Sequence, residues 1–224
     1  MTTSRTSSPK LPWNPGVRLF MQVPFTVKAL LVTVLLVLPL LGLLVWQAQG
    51  QYRAAMEDHQ DAVRDHVRVA HKVIEWAHER ERKGELSREQ AQTAAKGAIA
   101  RMRYGNGNAE YFWINDQKPV MVMHPVKPEL DGKDMSDFKD PNGLAVFRRF
   151  AEVAASQGEG FVPYQWPKPG ADKPQDKVSY VMAFAPWGWV IGSGVYADDL
   201  RAQFLSSLWR AAAVVVMALA INLL

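Results

Sequence analysis

Tyr111-Phe112-Trp113-Ile114-Asn115-Asp116 and Pro186-Trp187-Gly188-Trp189-Val190-Ile191-Gly192-Ser193-Gly194-Val195-Tyr196 open and close a segment of five short apolar-aromatic runs. Between them lie Met121-Val122-Met123-His124-Pro125, Gly160-Phe161-Val162-Pro163-Tyr164-Gln165-Trp166 and Lys177-Val178-Ser179-Tyr180-Val181-Met182-Ala183-Phe184. Aromatic and β-branched residues in runs of this length, bounded by Asn-Asp, Pro and Gly, predict a small antiparallel sheet. One helix is expected between the second run and the third. Asp140-Pro141 reads as its cap and first position, and Val146, Phe147, Phe150, Val153 and Ala154 give it one apolar face up to Gly158. Pro167 to Pro174 reads as a polar hairpin loop, and Ala185-Pro186-Trp187-Gly188 as a tight turn between the last two strands. The fold class is α+β: a five-stranded antiparallel sheet with helices attached.

Upstream, Gln51 to Lys83 contains no Gly or Pro. Tyr52, Met56, His59, Val63, Val67, Ala70, Ile74 and Ala77 recur at steps of three and four, which predicts one long helix with a narrow apolar stripe. So narrow a stripe points to a helix–helix seam, hence to a homodimer paired through this helix. The helix stops near Gly84. Ser87-Arg88-Glu89-Gln90 is a capping box with Leu86 placed as a staple, and the second helix runs to about Arg103 before a Gly/Asn turn over 104–108. Downstream, Asp198 caps an exit helix.

Both ends read as membrane segments. Ala29 to Trp46 is 18 residues without a charge, about 27 Å of helix and nearly the thickness of a bilayer core. A cleaved signal peptide is the rival reading, with Ala48-Gln49-Gly50 as its cleavage site. The run exceeds the ~7–15 residues of a signal core, which favours an uncleaved anchor. Arg5, Lys10, Arg18 and Lys28 precede the run without any acid, so the positive-inside rule puts the N-terminus in the cytoplasm and residue 48 onward outside. Ala211 to Leu224 is apolar apart from Asn222 but reaches only about 21 Å. It is expected to be a second span cut short, or else an amphipathic anchor. The expected organisation is a basic tail over 1–27, a first span over 28–47, an extracytoplasmic domain over 48–203 and a second span over 204–224.

The net charge of +4 belongs to the tail; from Gln47 to Gln203 there are 21 basic and 22 acidic residues. Nucleic-acid binders concentrate basic charge on the folded domain, so nucleic acid is excluded as a partner. The chain has no cysteine, hence no disulfide and no thiolate chemistry. His71, Glu75 and His78 share one side of the long helix, but a single Glu-x-x-His step reads as a solvated face, and no metal is expected. Gly192-Ser193-Gly194 lacks the following Lys and helix of a phosphate loop. No nucleophile–base pair stands out, so an enzyme is not expected, and no cofactor is called for.

The motifs Tyr-Phe-Trp-Ile-Asn-Asp, Met-Val-Met-His-Pro, Asp140-Pro141-Asn142-Gly143, Trp166-Pro167-Lys168-Pro169-Gly170 and Pro-Trp-Gly-Trp-Val-Ile-Gly-Ser-Gly-Val-Tyr resemble those of bacterial single Cache domains of type 2. The resemblance covers about 48–203. It implies a PAS-like sheet with a long N-terminal helix, held between two transmembrane helices of a chemoreceptor such as a methyl-accepting chemotaxis protein, or of a histidine kinase or cyclase. It further implies a small-molecule ligand, often a short carboxylate such as acetate, propionate, pyruvate or lactate. A membrane-tethered binding protein without cytoplasmic output is the alternative from another class.

A small carboxylate needs charge-assisted donors facing a partly apolar wall. Donors on or beside the strands are His124, Tyr164, Lys177, Tyr180, Trp113 and Arg103. The resemblance points to His124, Tyr164 and Lys177 as ligand contacts and to Trp113 as wall. Each has a structural alternative: a solvated strand-start lysine, a histidine closing a strand end, tyrosines of an ordinary core. Arg103 has a helix-dipole reason to stand at a helix C-terminus. Lys177 and Tyr180 are three apart, so without a bulge they face opposite sides of the sheet.

Overall fold

A computed structural model describes residues 23–221; most of the basic tail, 1–22, and the terminal 222–224 lie outside them. The chain forms two compact units, Gln51–Gln203 and the combination of Met1–Gly50 with Phe204–Leu224.

In the second of these, α1 (Phe25–Arg82) begins and α4 (Asp198–Ile221) ends. Helix α1 runs unbroken through Ala48-Gln49-Gly50 and contains Pro39. Among the described residues it is the one helix long and apolar enough to cross a membrane by length and composition. Leu35, Leu36, Leu38 and Trp46 stand exposed on it.

The unit Gln51–Gln203 holds the sheet. Its elements are the rest of α1, α2 (Arg88–Arg101), β1 (Arg103–Tyr104), β2 (Glu110–Asp116), β3 (Met121–Met123), α3 (Val146–Gln157), β4 (Glu159–Pro167), β5 (Pro174–Phe184), β6 (Trp189–Tyr196) and the start of α4. The order is β1-β2-β6-β5-β4, with β3 also paired to β2, and every pairing is antiparallel. The sheet therefore has six strands where five were expected. Arg103 and Tyr104 leave helix α2 two residues early and pair with Tyr111 and Glu110. The capping box is as expected: Ser87 Oγ accepts from the Gln90 amide, and Gln90 Oε1 accepts from the Ser87 amide.

Strand alternation sends side chains to two cores. On one face Phe112, Ile114, Tyr180, Phe184, Trp189 and Ile191 pack against Val63, Val67, Ala70, Ile74 and Ala77 of α1 and Ala91, Ala95 and Ile99 of α2. On the other, Tyr111, Trp113, Val162, Tyr164, Trp166, Val181 and Val190 pack against Val146, Phe147, Phe150, Val153 and Ala154 of α3.

Three expectations are corrected here. The α1 stripe from Val63 to Ala77 lies on the chain's own sheet, so it is not a seam left open for a second copy. His71, expected on a solvated face, is buried with it, its ring nitrogens 3.0 Å from Glu75 Oε1 and 3.1 Å from the Ala183 carbonyl oxygen. The third correction concerns α3, which starts at Val146 rather than at Asp140-Pro141. Asp140 instead folds a turn on itself: Oδ1 accepts from the amides of Asn142 and Leu144, while Oδ2 accepts from the amide of Gln165 on β4. Asx turns and helix caps use the same carboxylate-to-amide chemistry, which is why sequence alone confuses them.

Candidate functional site

The α3 face of the sheet gathers an unusual set of polar groups inside an aromatic core. Lys177 begins the part of β5 that is paired on both sides, opposite Tyr196 on β6 and Tyr164 on β4. Its side chain is only 1% exposed. The ammonium donates to Tyr111 Oη at 3.5 Å and Tyr196 Oη at 3.4 Å, and stands 4.5 Å from the centre of each of these rings. The Trp113 ring is 5.8 Å away. Among the described residues no carboxylate lies within ion-pair distance of it. Burial pulls the Lys177 pKa down from 10.5 to about 8, and the charge of Glu110 works against that fall. A buried ammonium whose described contacts are phenols and ring faces is a costly arrangement unless an anion completes it.

His124 follows β3 and is held by its own turn. Its Nδ1 accepts from the amides of Val126 at 3.3 Å and Lys127 at 3.0 Å, so the ring proton sits on Nε2. Asp131 Oδ1 fixes the backbone by accepting from the His124 amide. Burial first, then the Lys177 charge, depress its pKa to about 3. At neutral pH His124 is thus an uncharged donor, packed between the rings of Tyr111 at 5.0 Å and Trp166 at 5.9 Å.

Tyr164 is buried, with Oη 3.0 Å from Ser179 Oγ, and burial pushes its pKa well up. Trp113 has its indole N–H occupied by Asn115 Oδ1 at 3.1 Å, which leaves the ring as an apolar surface. That ring lies flat over β6: a Cβ at Gly192 would collide with its benzo ring. A Cβ at Gly194 would likewise strike Ser179 Oγ. The Gly-Ser-Gly of β6 thus makes room for neighbouring side chains.

The structure brings Lys177, Tyr164, His124 and Trp113 to one face. It does not bring Tyr180 there: Tyr180 points to the α1 side, packed on Phe161 at 4.7 Å, its pKa raised to about 12 chiefly by burial. Arg103 sits at the sheet edge, its guanidinium donating to the carbonyls of Ala100 at 2.8 Å and Met102 at 3.0 Å, an end-of-helix role. Tyr111, Tyr196 and Trp166 belong to the constellation, and choosing donors by type misses them. Period-two counting from Trp113 and Tyr164 reaches Tyr111 and Trp166 directly; Tyr196 needs the β5–β6 register.

A groove of about 790 Å³ opens on the other face, between α1 and the end of the sheet, lined by Asp58, His59, His66, Tyr104, Glu110 and Tyr196 among others. It mixes both signs of charge. The Lys177 cage instead gathers convergent donors with no carboxylate within ion-pair distance of the ammonium, among the described residues. One ammonium, one neutral imidazole N–H and several phenols within aromatic walls suit an anionic group carrying a short apolar body.

Residues 55–210 match the model of the family described as single Cache domain 2. The methyl-accepting chemotaxis protein McpP of Pseudomonas putida is 44% identical over 181 residues, covering 80% of this chain and 32% of McpP. The sensor histidine kinase MctS of Rhizobium johnstonii is 32% identical over 115 residues, covering 51% of this chain and 24% of MctS. The chain thus spans a third or less of the length of these relatives. A solved structure described as the "structural basis for carboxylic acid recognition by a Cache chemosensory domain" is 44% identical with a TM-score of 0.59, covering 66% of this chain and 97% of that one.

Proposed function

Because the chain belongs to the single Cache domain 2 family, we propose that it is the extracytoplasmic sensing region of a chemoreceptor and that its ligand is a short carboxylate held by Lys177. The observation that carries this is the buried Lys177 ammonium, which has phenols and ring faces for neighbours and, among the described residues, no carboxylate within ion-pair distance. In this reading the ligand carboxylate takes the ammonium and the His124 Nε2–H, with Tyr111 and Tyr196 hydroxyls beside it. Trp113 and Trp166 wall its apolar end, and Tyr164 with Ser179 closes the floor. Such sites gain affinity from charge-assisted hydrogen bonds made away from water. The likeness to McpP supports the chemoreceptor reading, and the likeness to a solved Cache domain described by its recognition of carboxylic acid supports the ligand class.

The remaining parts of the reading concern the membrane. Residues 28–47 and 204–224 span it, the tail is cytoplasmic and 48–203 lies outside. Two copies pair along the outer side of α1, where Val69 and Trp76 are exposed. Ligand occupancy favours one of two arrangements of sheet and helices, which requires differential affinity for the two. A kinase output is the second reading, favoured by the likeness to MctS; methylation and phosphotransfer assays on the full-length receptor separate the two.

The test is calorimetry of residues 48–203 with acetate, propionate, pyruvate and lactate. At least one acid binds the wild-type domain, and Lys177→Gln loses it. A folded Lys177→Gln domain with unchanged affinity removes Lys177 from the site and the proposal with it.

A further inference from the structure

Tyr196 stands where three parts of the unit meet. It is the last residue of β6, and only Ala197 separates it from α4. Its ring and hydroxyl belong to the Lys177 cage, yet it also lines the groove beside α1; among the described residues it is the one shared by both. Its hydroxyl donates to the Pro167 carbonyl at 2.9 Å, fastening the end of β6 to the end of β4 across β5. The same oxygen accepts from Lys177, and Lys168 stands 5.4 Å from the ring. One further backbone bond, from the Ala197 amide to the Asp176 carbonyl at 2.9 Å, carries the ladder a step past the strand.

The ties made by Lys177 are the ones an anion would change. At 3.4 and 3.5 Å its hydrogen bonds to the two phenols are long, whereas ammonium–carboxylate bonds run about 2.7–2.9 Å and join two opposite full charges. A carboxylate in the cage therefore draws the ammonium away from both phenols. Tyr111 is in a strand with neighbours on either side, so the loss is absorbed there. Tyr196 is at a strand end, and beyond it the chain leaves the sheet as α4.

Resting on the carboxylate reading above, we propose that Tyr196 is the positioning residue through which occupancy of the Lys177 cage reaches the exit helix. Withdrawal of the Lys177 cation from its hydroxyl and ring changes how the end of β6 is held. The change passes through Ala197 into 198–203. The empty cage holds the strand end in one state by means of Lys177, and an anion releases it by taking Lys177 over.

Amide hydrogen exchange of the full chain in lipid nanodiscs tests this, with propionate as the probe and acetate, pyruvate and lactate as alternates. In the wild type, the acid that binds alters exchange over 197–203. Tyr196→Phe keeps the ring and loses the hydroxyl; at acid concentrations shown by calorimetry to saturate its cage, the ligand-dependent change over 197–203 is lost. Lys177→Met leaves the Tyr196–Pro167 bond in place and removes the cation, so its ligand-free exchange over 197–203 matches that of the occupied wild type, with no response to acid. A merely structural Tyr196 would not produce that second result. If Lys177→Met matches the empty wild type, or Tyr196→Phe keeps the full ligand-dependent change, the inference is overturned while the carboxylate reading stands. If no acid affects the wild type anywhere, both fall together.

Discussion

Replacing Lys177 by Met should make the sensor unit more stable while removing its ligand. Burial lowers the lysine pKa from 10.5 to about 8, a shift that corresponds to about 3 kcal/mol at 1.36 kcal/mol per unit. That is the cost of keeping the ammonium charged in the folded state. The two ring faces at 4.5 Å return about 1–2 kcal/mol of it. A methionine of similar length meets neither term, so Lys177→Met gains about 1–2 kcal/mol at neutral pH, in line with other buried charges replaced by apolar groups. The sign of the pH dependence is fixed by the direction of the shift. Between about 8 and 10.5 the unfolded chain holds a proton that the folded chain has released, so wild-type stability rises with pH through that window. Below it the full cost is present. The advantage of Lys177→Met should therefore be constant up to pH about 8 and shrink toward 10.5. Unfolded tyrosines titrate nearby but equally in both proteins, so they cancel in the difference. Urea denaturation of residues 51–203, followed by tryptophan fluorescence across this range, measures it. A variant less stable than wild type at neutral pH, or an advantage that ignores pH, would refute the view of Lys177 as an uncompensated buried cation.

Carboxylate affinity should weaken as pH rises through about 8, by about tenfold per pH unit once the free domain's Lys177 is neutral; calorimetry in a buffer series shows it. Asp140→Ala strands three amides, those of Asn142, Leu144 and Gln165, and should cost about 2–3 kcal/mol by denaturation. Asp140→Asn, which keeps one acceptor oxygen, should cost less. Gly192→Ala forces the Trp113 ring off the strand and should destabilise the unit by about 1–3 kcal/mol, with a shifted tryptophan emission. Tyr180→Phe lies on the opposite face and should leave propionate affinity unchanged; a large loss in calorimetry would place the ligand elsewhere.

The long strands are legible in the sequence because each carries enough aromatic and β-branched residues to declare itself. Strand β1 is not: Arg103-Tyr104 has no strand pattern and exists only because Glu110 and Tyr111 come back alongside it. The start of α3 is hidden because Asp140-Pro141 offers the same amide-accepting carboxylate to a turn as to a helix. The stripe on α1 reads correctly as apolar but suggests the wrong partner, since periodicity says that a face is covered and not by what. For the cage, strand parity alone separates Lys177 from Tyr180. Choosing residues by donor type passes over Tyr111 and Trp166, which two-residue counting supplies. The tautomer of His124 depends on the turn at Val126 and Lys127, and no sequence pattern encodes it.

Under the Trp113 indole, β6 presents bare backbone, because nothing larger than a hydrogen fits at Gly192. The space above this part of β6 is thus set by one side chain, with backbone and no second layer of side chains beneath it. Trimming that indole to a smaller ring would expose the peptide plane itself and admit a longer acyl tail. If a carboxylate is held at Lys177 as proposed, a lineage of such domains would change the ligand length it accepts by editing position 113 while Lys177 stayed as it is.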